Sequence, residues 1–185
     1  VTLTITEKGY CLDPTTHEIR WENADIAWDR DNPETPRSAP GVLLAGLRAR
    51  RDKGLPPFTI LSCDNLSENG KQAKAAVTGL ARAVDPAFAE WIDAEVAFPS
   101  SMVDRIAPAT TRNDIDQLEH ATGIRDEAMV KTEPFSQWVI EDHFCNRRPN
   151  LDRVGVQYTT DVGGWENAKL RLLNGAHSAI AYLGG

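Results

Sequence analysis

What this 185-residue sequence lacks narrows the field before anything it contains. It has three cysteines, Cys11, Cys63 and Cys145. An odd, scattered set excludes a disulfide framework and points to a reducing compartment, the cytoplasm. Positive charge is in the minority, with 20 Lys and Arg against 27 Asp and Glu and a formal net charge of −7. Nucleic-acid and anionic-membrane surfaces need clustered Lys and Arg, so neither partner is expected. No apolar run approaches the roughly 20 residues of a membrane span. The best, Val42 to Leu47, is broken at once by Arg48, Arg50 and Arg51. There is no basic-then-apolar leader, so export is not expected. Nor do histidines gather: His17, His120, His143 and His177 are scattered, and His143-Phe144-Cys145, the one close pair of soft ligands, reads as a solvated loop rather than a zinc site.

What is present is ordinary for a globular protein: 41% hydrophobic and 25% charged residues. The length suits one sizeable core, or one domain and the start of another. The chain opens on Val1 with a strand-like VTLTIT and closes on Tyr182-Leu183-Gly184-Gly185 after an apolar run, which leads us to expect a piece of a longer protein.

Val1 to Thr6 alternates β-branched and polar residues and predicts a strand, followed by a Glu7–Tyr10 loop. Residues Cys11 to Arg37, rich in Asp, Pro, Asn and Thr, predict an irregular excursion. Ser38 caps a helix carrying Val42, Leu43, Leu44 and Leu47. Phe58 to Ser62 predicts a buried strand that delivers Cys63-Asp64-Asn65 to a loop at its carboxyl end. Asn69 and Gly70 precede an amphipathic helix with Ala73, Val77, Leu80 and Ala81 at helical spacing, and Pro86 to Ala94 is helical too. Val96 to Phe98 is a short apolar stretch stopped by Pro99, and Asp114 to Thr122 predicts a helix ended by Gly123. Gln137–Glu141 and Val154–Tyr158 read as strands. The alternation predicts an α/β fold with a largely parallel sheet. Trp165 to Leu183 reads as one uninterrupted helix that could open an all-helical neighbour, with the boundary between Tyr158 and Gly164.

That last helix carries an unusual polar set. With Lys169 at zero and about 100° per residue, Glu166 falls at about 60°, His177 at about 80° and Asn174 at about 140°. Leu170, Leu173 and Ile180 lie among them, so the arc is not a simply solvated face, and buried Lys, Asn and His need partners. The plainer alternative is an exposed Lys169–Glu166 pair with His177 a satisfied core histidine.

The string Lys169-Leu170-Arg171-Leu172-Leu173-Asn174-Gly175-Ala176-His177-Ser178 resembles the signature of the polyol-specific long-chain dehydrogenases, a family that includes mannitol 2-dehydrogenase, fructuronate reductase (mannonate oxidoreductase) and tagaturonate reductase. Further segments resemble the family in the same order: Thr6 to Tyr10, Ser62 to Asn65, Met102 to Ile106, and Glu133-Pro134-Phe135 through Glu141-Asp142. The resemblance implies that residues 1–160 are the C-terminal portion of a Rossmann-like dinucleotide-binding domain and that 161–185 start a helical substrate-binding domain. It implies Lys169 as general base, Asn174 and Asn65 as an oxyanion hole, and His177 orienting the substrate hydroxyl. Glu7, Asn65 and Val103 would lie near the cofactor, Asp104 near the substrate, and Glu166 beside the lysine as a gate. The residues also allow Glu7 a turn-shaping role and Asp104-Arg105 a structural ion pair.

The chemistry these residue types can perform fits. Oxidising a secondary alcohol removes the hydroxyl proton as hydride leaves the same carbon. A neutral lysine accepts that proton if desolvation brings its pKa down toward the working pH. Asn amides can donate to a developing alkoxide. No side chain accepts hydride, so NAD is the implied cofactor, with no metal. The expected activity interconverts a sugar ketone, fructuronate or fructose, with mannonate or mannitol. Glu7 to Cys11 and Pro99 to Met102 lean toward the uronate enzymes. Gly164-Trp165-Glu166, where the family commonly has Pro-Tyr-Glu, and Ser100, where some members have Asn, bear on substrate detail. The Gly-rich turn of a dinucleotide fold does not occur in the sequence, which leaves NAD against NADP open and leads us to expect weak NAD binding by this stretch alone. An inactive fragment or a non-catalytic binding module is the competing expectation. The implied partner is a small sugar or sugar acid; oligomeric state is not specified, and a monomer is compatible with everything above.

Overall fold

A computed structural model describes residues 1–174 of the chain. It contains five short strands, β1 (Thr2–Leu3), β2 (Leu61–Ser62), β3 (Ser101–Asp104), β4 (Gln137–Glu141) and β5 (Gln157–Thr159). The helices are α1 (Ala24–Asp31), α2 (Ala39–Asp52), α3 (Asn69–Val84), α4 (Pro86–Glu95), α5 (Arg112–Thr122) and α6 (Val162–Ala168), the last running on as a π-helix over Lys169–Asn174.

The main core forms where α2, α3 and α4 turn their apolar stripes inward. Leu44 and Leu47 from α2, Ala73, Val77 and Leu80 from α3, and Phe88 and Ile92 from α4 meet Ile60 and Ile26 in one buried cluster. Helices α2, α4 and α5 start where their sequence supplies a cap. The Ser38 side chain accepts the Gly41 N–H of α2, and Asp85 accepts the Phe88 N–H of α4. Thr111 and Asp114 form a reciprocal capping box on α5.

Helix α1 lies inside the stretch expected to be irregular. Only Ile26 and Asp29 of its eight residues are buried, so it shows no apolar stripe for periodicity to detect. Polar contacts fix it instead. Asn23 caps its first turn, and the buried Asp29 carboxylate accepts the Arg37 N–H at 2.7 Å, the Ser38 N–H at 2.9 Å and the Ser38 hydroxyl.

Strand β4 has the bounds its sequence suggested, β1, β2 and β5 are shorter than expected, and one pairing reverses. β1 and β2 pair in parallel, Thr2 opposite Leu61; β4 and β5 also pair in parallel, Val139 opposite Gln157. β3 and β4 are antiparallel, with Val103 opposite Trp138. A parallel return needs a crossover element packed on a sheet face. The connection from Arg105 to Ser136 carries α5, of which only Ile115 is buried, so it covers no face and the chain returns antiparallel. Of the expected strand Val154–Tyr158, Val154 closes a 3-10 turn over Leu151–Val154 that ends at Gly155 with φ 93°, and strand pairing begins at Gln157.

The closing helix differs most from expectation. It begins at Val162, where the Asp161 carboxylate accepts the Gly164 N–H at 2.9 Å. At Lys169 it widens to the π form, which bonds i to i+5 and changes the angle per residue. The 100° spacing therefore does not carry over from Lys169 to Asn174.

Candidate active site

The parallel pair β1–β2 ends at Cys63, whose N–H donates to Leu3 O at 2.8 Å, and the chain then turns through residues 64–68. Asp64 organises this loop. Its Oδ1 accepts the Leu66 N–H at 3.1 Å, and its Oδ2 accepts the hydroxyl of Tyr10, which is 2% exposed. Burial, together with the bond to Asp64, pushes the Tyr10 hydroxyl well above the usual tyrosine range, so it stays a donor. Burial and the neighbouring Asp64 charge also raise the Cys63 thiol. The loop thereby presents Asn65 and Ser67 outward at the carboxyl end of β2, where ligands of α/β sheets bind.

The end of β3 approaches from the other side with Val103 and Asp104. Lys169 reaches between the two. Its ammonium donates to Val103 O at 2.6 Å and to Asn65 Oδ1 at 3.1 Å, and its Nζ lies 3.4 Å from Asp104 Oδ1. The side chains of Lys169 and Asp104 are only 17% and 12% exposed, so this is a shielded charge pair rather than a surface contact. With its oxygen occupied by the ammonium, the Asn65 amide keeps its N–H donors for something else.

Glu166 does not pair with Lys169. Its carboxylate accepts the Ser67 hydroxyl at 2.8 Å and the Glu68 N–H at 3.2 Å, docking α6 onto the loop after β2. Glu68 holds φ 51°, which turns its N–H toward that carboxylate. Asp104 and Arg105 do not pair with each other either. Asp104 faces Lys169, and Arg105 Nε donates to Glu133 O at 3.1 Å.

Two clefts meet at the lysine. One, of about 310 Å³, is walled by Leu66, Met102 and Val103 on its apolar side and by Asn65, Ser67, Glu166 and Lys169 on its polar side. The other, of about 450 Å³, runs past Arg105, Gln137, Trp138 and Val156. Asn65, Val103, Asp104 and Lys169 line both. Glu7 lines neither; it borders a small crevice with Tyr10, His17 and Gln72. The side chain of Asn174 and the whole of His177 lie outside the described residues. Among the described residues no three His, Cys, Asp or Glu side chains converge as metal ligands, the three cysteines are free, and no helix is long and apolar enough to cross a membrane.

The structure thus brings Asn65, Val103, Asp104 and Lys169 together, with Glu166 beside them. The sequence reading missed Ser67, the Glu68 N–H and Tyr10. Ser67 and Glu68 stand within four residues of Asn65, but nothing in their type marks them as acceptors' partners for a helix a hundred positions away.

Known proteins are similar to this chain in sequence and in fold. The mannitol dehydrogenase Rossmann domain matches residues 1–153. D-mannonate oxidoreductase of Escherichia coli (strain K12) is 50% identical over 184 residues, covering 100% of this chain and 38% of the relative. Mannitol 2-dehydrogenase of Neosartorya fischeri is 50% identical over 189 residues, again covering 38% of the relative. Among solved structures, Pseudomonas fluorescens mannitol 2-dehydrogenase in a ternary complex with NAD and D-mannitol superposes with a TM-score of 0.87 at 42% identity, over 99% of this chain and 38% of that one. A substrate-free D-sorbitol dehydrogenase gives a TM-score of 0.91 at 44% identity, over 96% and 37%. The chain therefore spans 38% of the length of these curated relatives. Its fold is Rossmann-like, and the chain belongs to the mannitol dehydrogenase family.

Proposed function

We propose that Lys169 is the proton-transfer group of an NAD-dependent, metal-independent oxidoreductase that interconverts a sugar ketone, fructuronate or fructose, with mannonate or mannitol. Residues 1–160 are read as the later part of the dinucleotide domain and 161–185 as the opening of a helical substrate domain. The observation that carries the reading is the ammonium of Lys169, held by Val103 O, Asn65 Oδ1 and Asp104 where two clefts meet.

Two reactants must converge on one carbon, and the two clefts share the residues that hold the lysine. The apolar wall of Leu66, Met102 and Val103 beside the Asn65 amide suits a flat carboxamide-bearing ring. A bound nicotinamide would supply the hydride acceptor. Of this chain's residues, Asn65 and Val103 would hold its ring. As the neutral amine Lys169 takes the hydroxyl proton of the alcohol, and as the ammonium it returns one to the ketone. The N–H of Asn65, which meets no acceptor among the described residues, donates to the oxygen on which charge develops, and Asn174 is its expected partner. Asp104 and Val103 fix the lysine so that its Nζ moves little between proton states. His177 orients the substrate hydroxyl, and Glu166, already in the lining of one cleft, passes protons toward solvent. The names of two 50%-identical relatives support both sugar-acid and polyol substrates, and the NAD of the superposed ternary complex supports the cofactor.

The test is NADH-dependent reduction of fructuronate and of fructose by the intact protein, with Lys169→Ala alongside. Turnover of at least one ketone, lost by a factor on the order of 10² or more in the variant, is expected. Activity on neither ketone rejects the substrate class. Activity kept within a few-fold in Lys169→Ala rejects the role of the lysine.

A further inference from the structure

We propose that Asn69 is a positioning residue whose buried amide sets the distance between the two strand ends that grip Lys169. Asn69 is the first residue of α3 and is 0% exposed. Its Oδ1 accepts the Ser101 N–H at 2.9 Å, while its Nδ2 donates to Ser101 O at 2.8 Å and to Asp64 O at 3.3 Å. Asp64 is the residue before Asn65, and Ser101 stands two before Val103. One side chain therefore ties the main chain leading to both acceptors of the lysine.

No ladder does this job. β2 pairs with β1, and β3 pairs with β4, so β2 and β3 belong to separate hydrogen-bonded sheets. The Asn69 amide acts as a one-residue strand partner to Ser101, using both of its backbone groups. A second tie runs parallel to it, from the Ser101 hydroxyl to Ser62 O. The next residue, Gly70, allows the close approach: a Cβ there would lie 2.3 Å from Phe98 O, so the start of α3 abuts the chain entering β3. Two donors and one acceptor in this geometry fit asparagine. Aspartate would set a second acceptor against two carbonyls, and leucine would leave three main-chain groups unmatched.

If the spacing widens, Lys169 loses simultaneous contact with Asn65 and Val103. A misplacement on the order of 1 Å at a catalytic group costs on the order of 10²-fold in rate. The kinetic consequence rests on the reading of Lys169 as the proton-transfer group; the geometric one does not.

The experiment compares Asn69→Ala and Asn69→Ser with Thr78→Val in the intact protein. Thr78 is a buried residue of the same helix whose hydroxyl donates to Lys74 O at 2.7 Å, away from the site. Two quantities are read below the melting range: the rate of acetylation of Lys169 relative to exposed Lys53 by peptide mass spectrometry, and kcat with KM. Both Asn69 variants are expected to acetylate Lys169 several-fold faster, and to lose on the order of 10²-fold in kcat with KM changed only a few-fold. Thr78→Val should change neither. Unchanged Lys169 acetylation in a folded Asn69 variant overturns the proposal, as does the same change in Thr78→Val. Should alanine prevent folding, the serine variant, which keeps one donor and one acceptor, decides. Should the wild type turn over neither ketone, the functional reading fails while acetylation still decides the role of Asn69.

Discussion

The ammonium of Lys169 lies 2.6 Å from the carbonyl oxygen of Val103, which ties the start of the π-helix to the end of β3. Because the same ammonium also faces Asp104, the charge is held from two consecutive residues of one strand end. Replacing Asp104 with Asn removes the charge partner but keeps the shape. We expect kcat to fall 10- to 100-fold, about 1.4–2.7 kcal/mol, with KM for the cofactor nearly unchanged. Equal kcat in the variant would show that Val103 and Asn65 suffice.

Glu166 and Ser67 form the dock between α6 and the loop after β2. In a double-mutant cycle of Glu166→Gln and Ser67→Ala, the coupling in stability should be about 1 kcal/mol, that of one hydrogen bond to a charged group partly open to water. Additive losses in urea titration would mean that the two side chains act independently.

Tyr10 gives the fold a high-pH limit. Its hydroxyl is held above the ordinary value of 10.0, chiefly by burial. The folded state thus favours the protonated form, and the stabilisation is complete below the unfolded pKa, near 10. It is lost as pH rises beyond that value toward the folded pKa. Tyr10→Phe should cost about 1–3 kcal/mol at neutral pH, since the buried Asp64 loses a donor. The variant should also show a shallower fall in thermal midpoint above pH 10.

At the acid end the sensitive element is α5. Asp114 is held well below the usual carboxylate range, first by Lys131 and then by Thr111. Its contribution is present above the unfolded value, 3.8, and is lost as pH falls below it. Hydrogen exchange across Arg112–Thr122 should therefore speed up relative to α3 as pH falls below 3.8, and Asp114→Asn should abolish that difference.

Metal independence has a direct check. If Lys169 is the proton-transfer group, as proposed, a zinc chelator should leave ketone reduction unchanged after prolonged dialysis. Loss of activity restored by a divalent cation would refute this part of the reading.

The sequence made some of this legible and hid the rest for identifiable reasons. Helices α2, α3 and α4 show apolar residues at helical spacing, and α2 and α4 carry explicit caps, so they could be read directly. Helix α1 could not, because its anchor is the buried carboxylate of Asp29 rather than a stripe. Lys169 stood out on its helix, but its meeting with Asn65, 104 positions earlier, was available only through family resemblance. Local periodicity carries no information about which strand end a helix will face. The antiparallel return of β4 and the π-helix escaped for a related reason: both depend on what packs against a segment, not on what the segment contains. Asn69 looked like the approach to a helix, and only its three hydrogen bonds, two to Ser101 and one to Asp64, suggest a brace.

The π-helix at Lys169–Asn174 amounts to a spare residue stored in the backbone. The segment fits more amino acids into each turn than an α-helix would. Removing one residue between Leu170 and Leu173 would let the turn tighten, and Asn174 would swing around the axis relative to the lysine. Such a deletion would leave the anchored ammonium in place yet present it with a different set of neighbours. Sequence length across these six positions is therefore under a constraint as strict as the identity of any side chain among them.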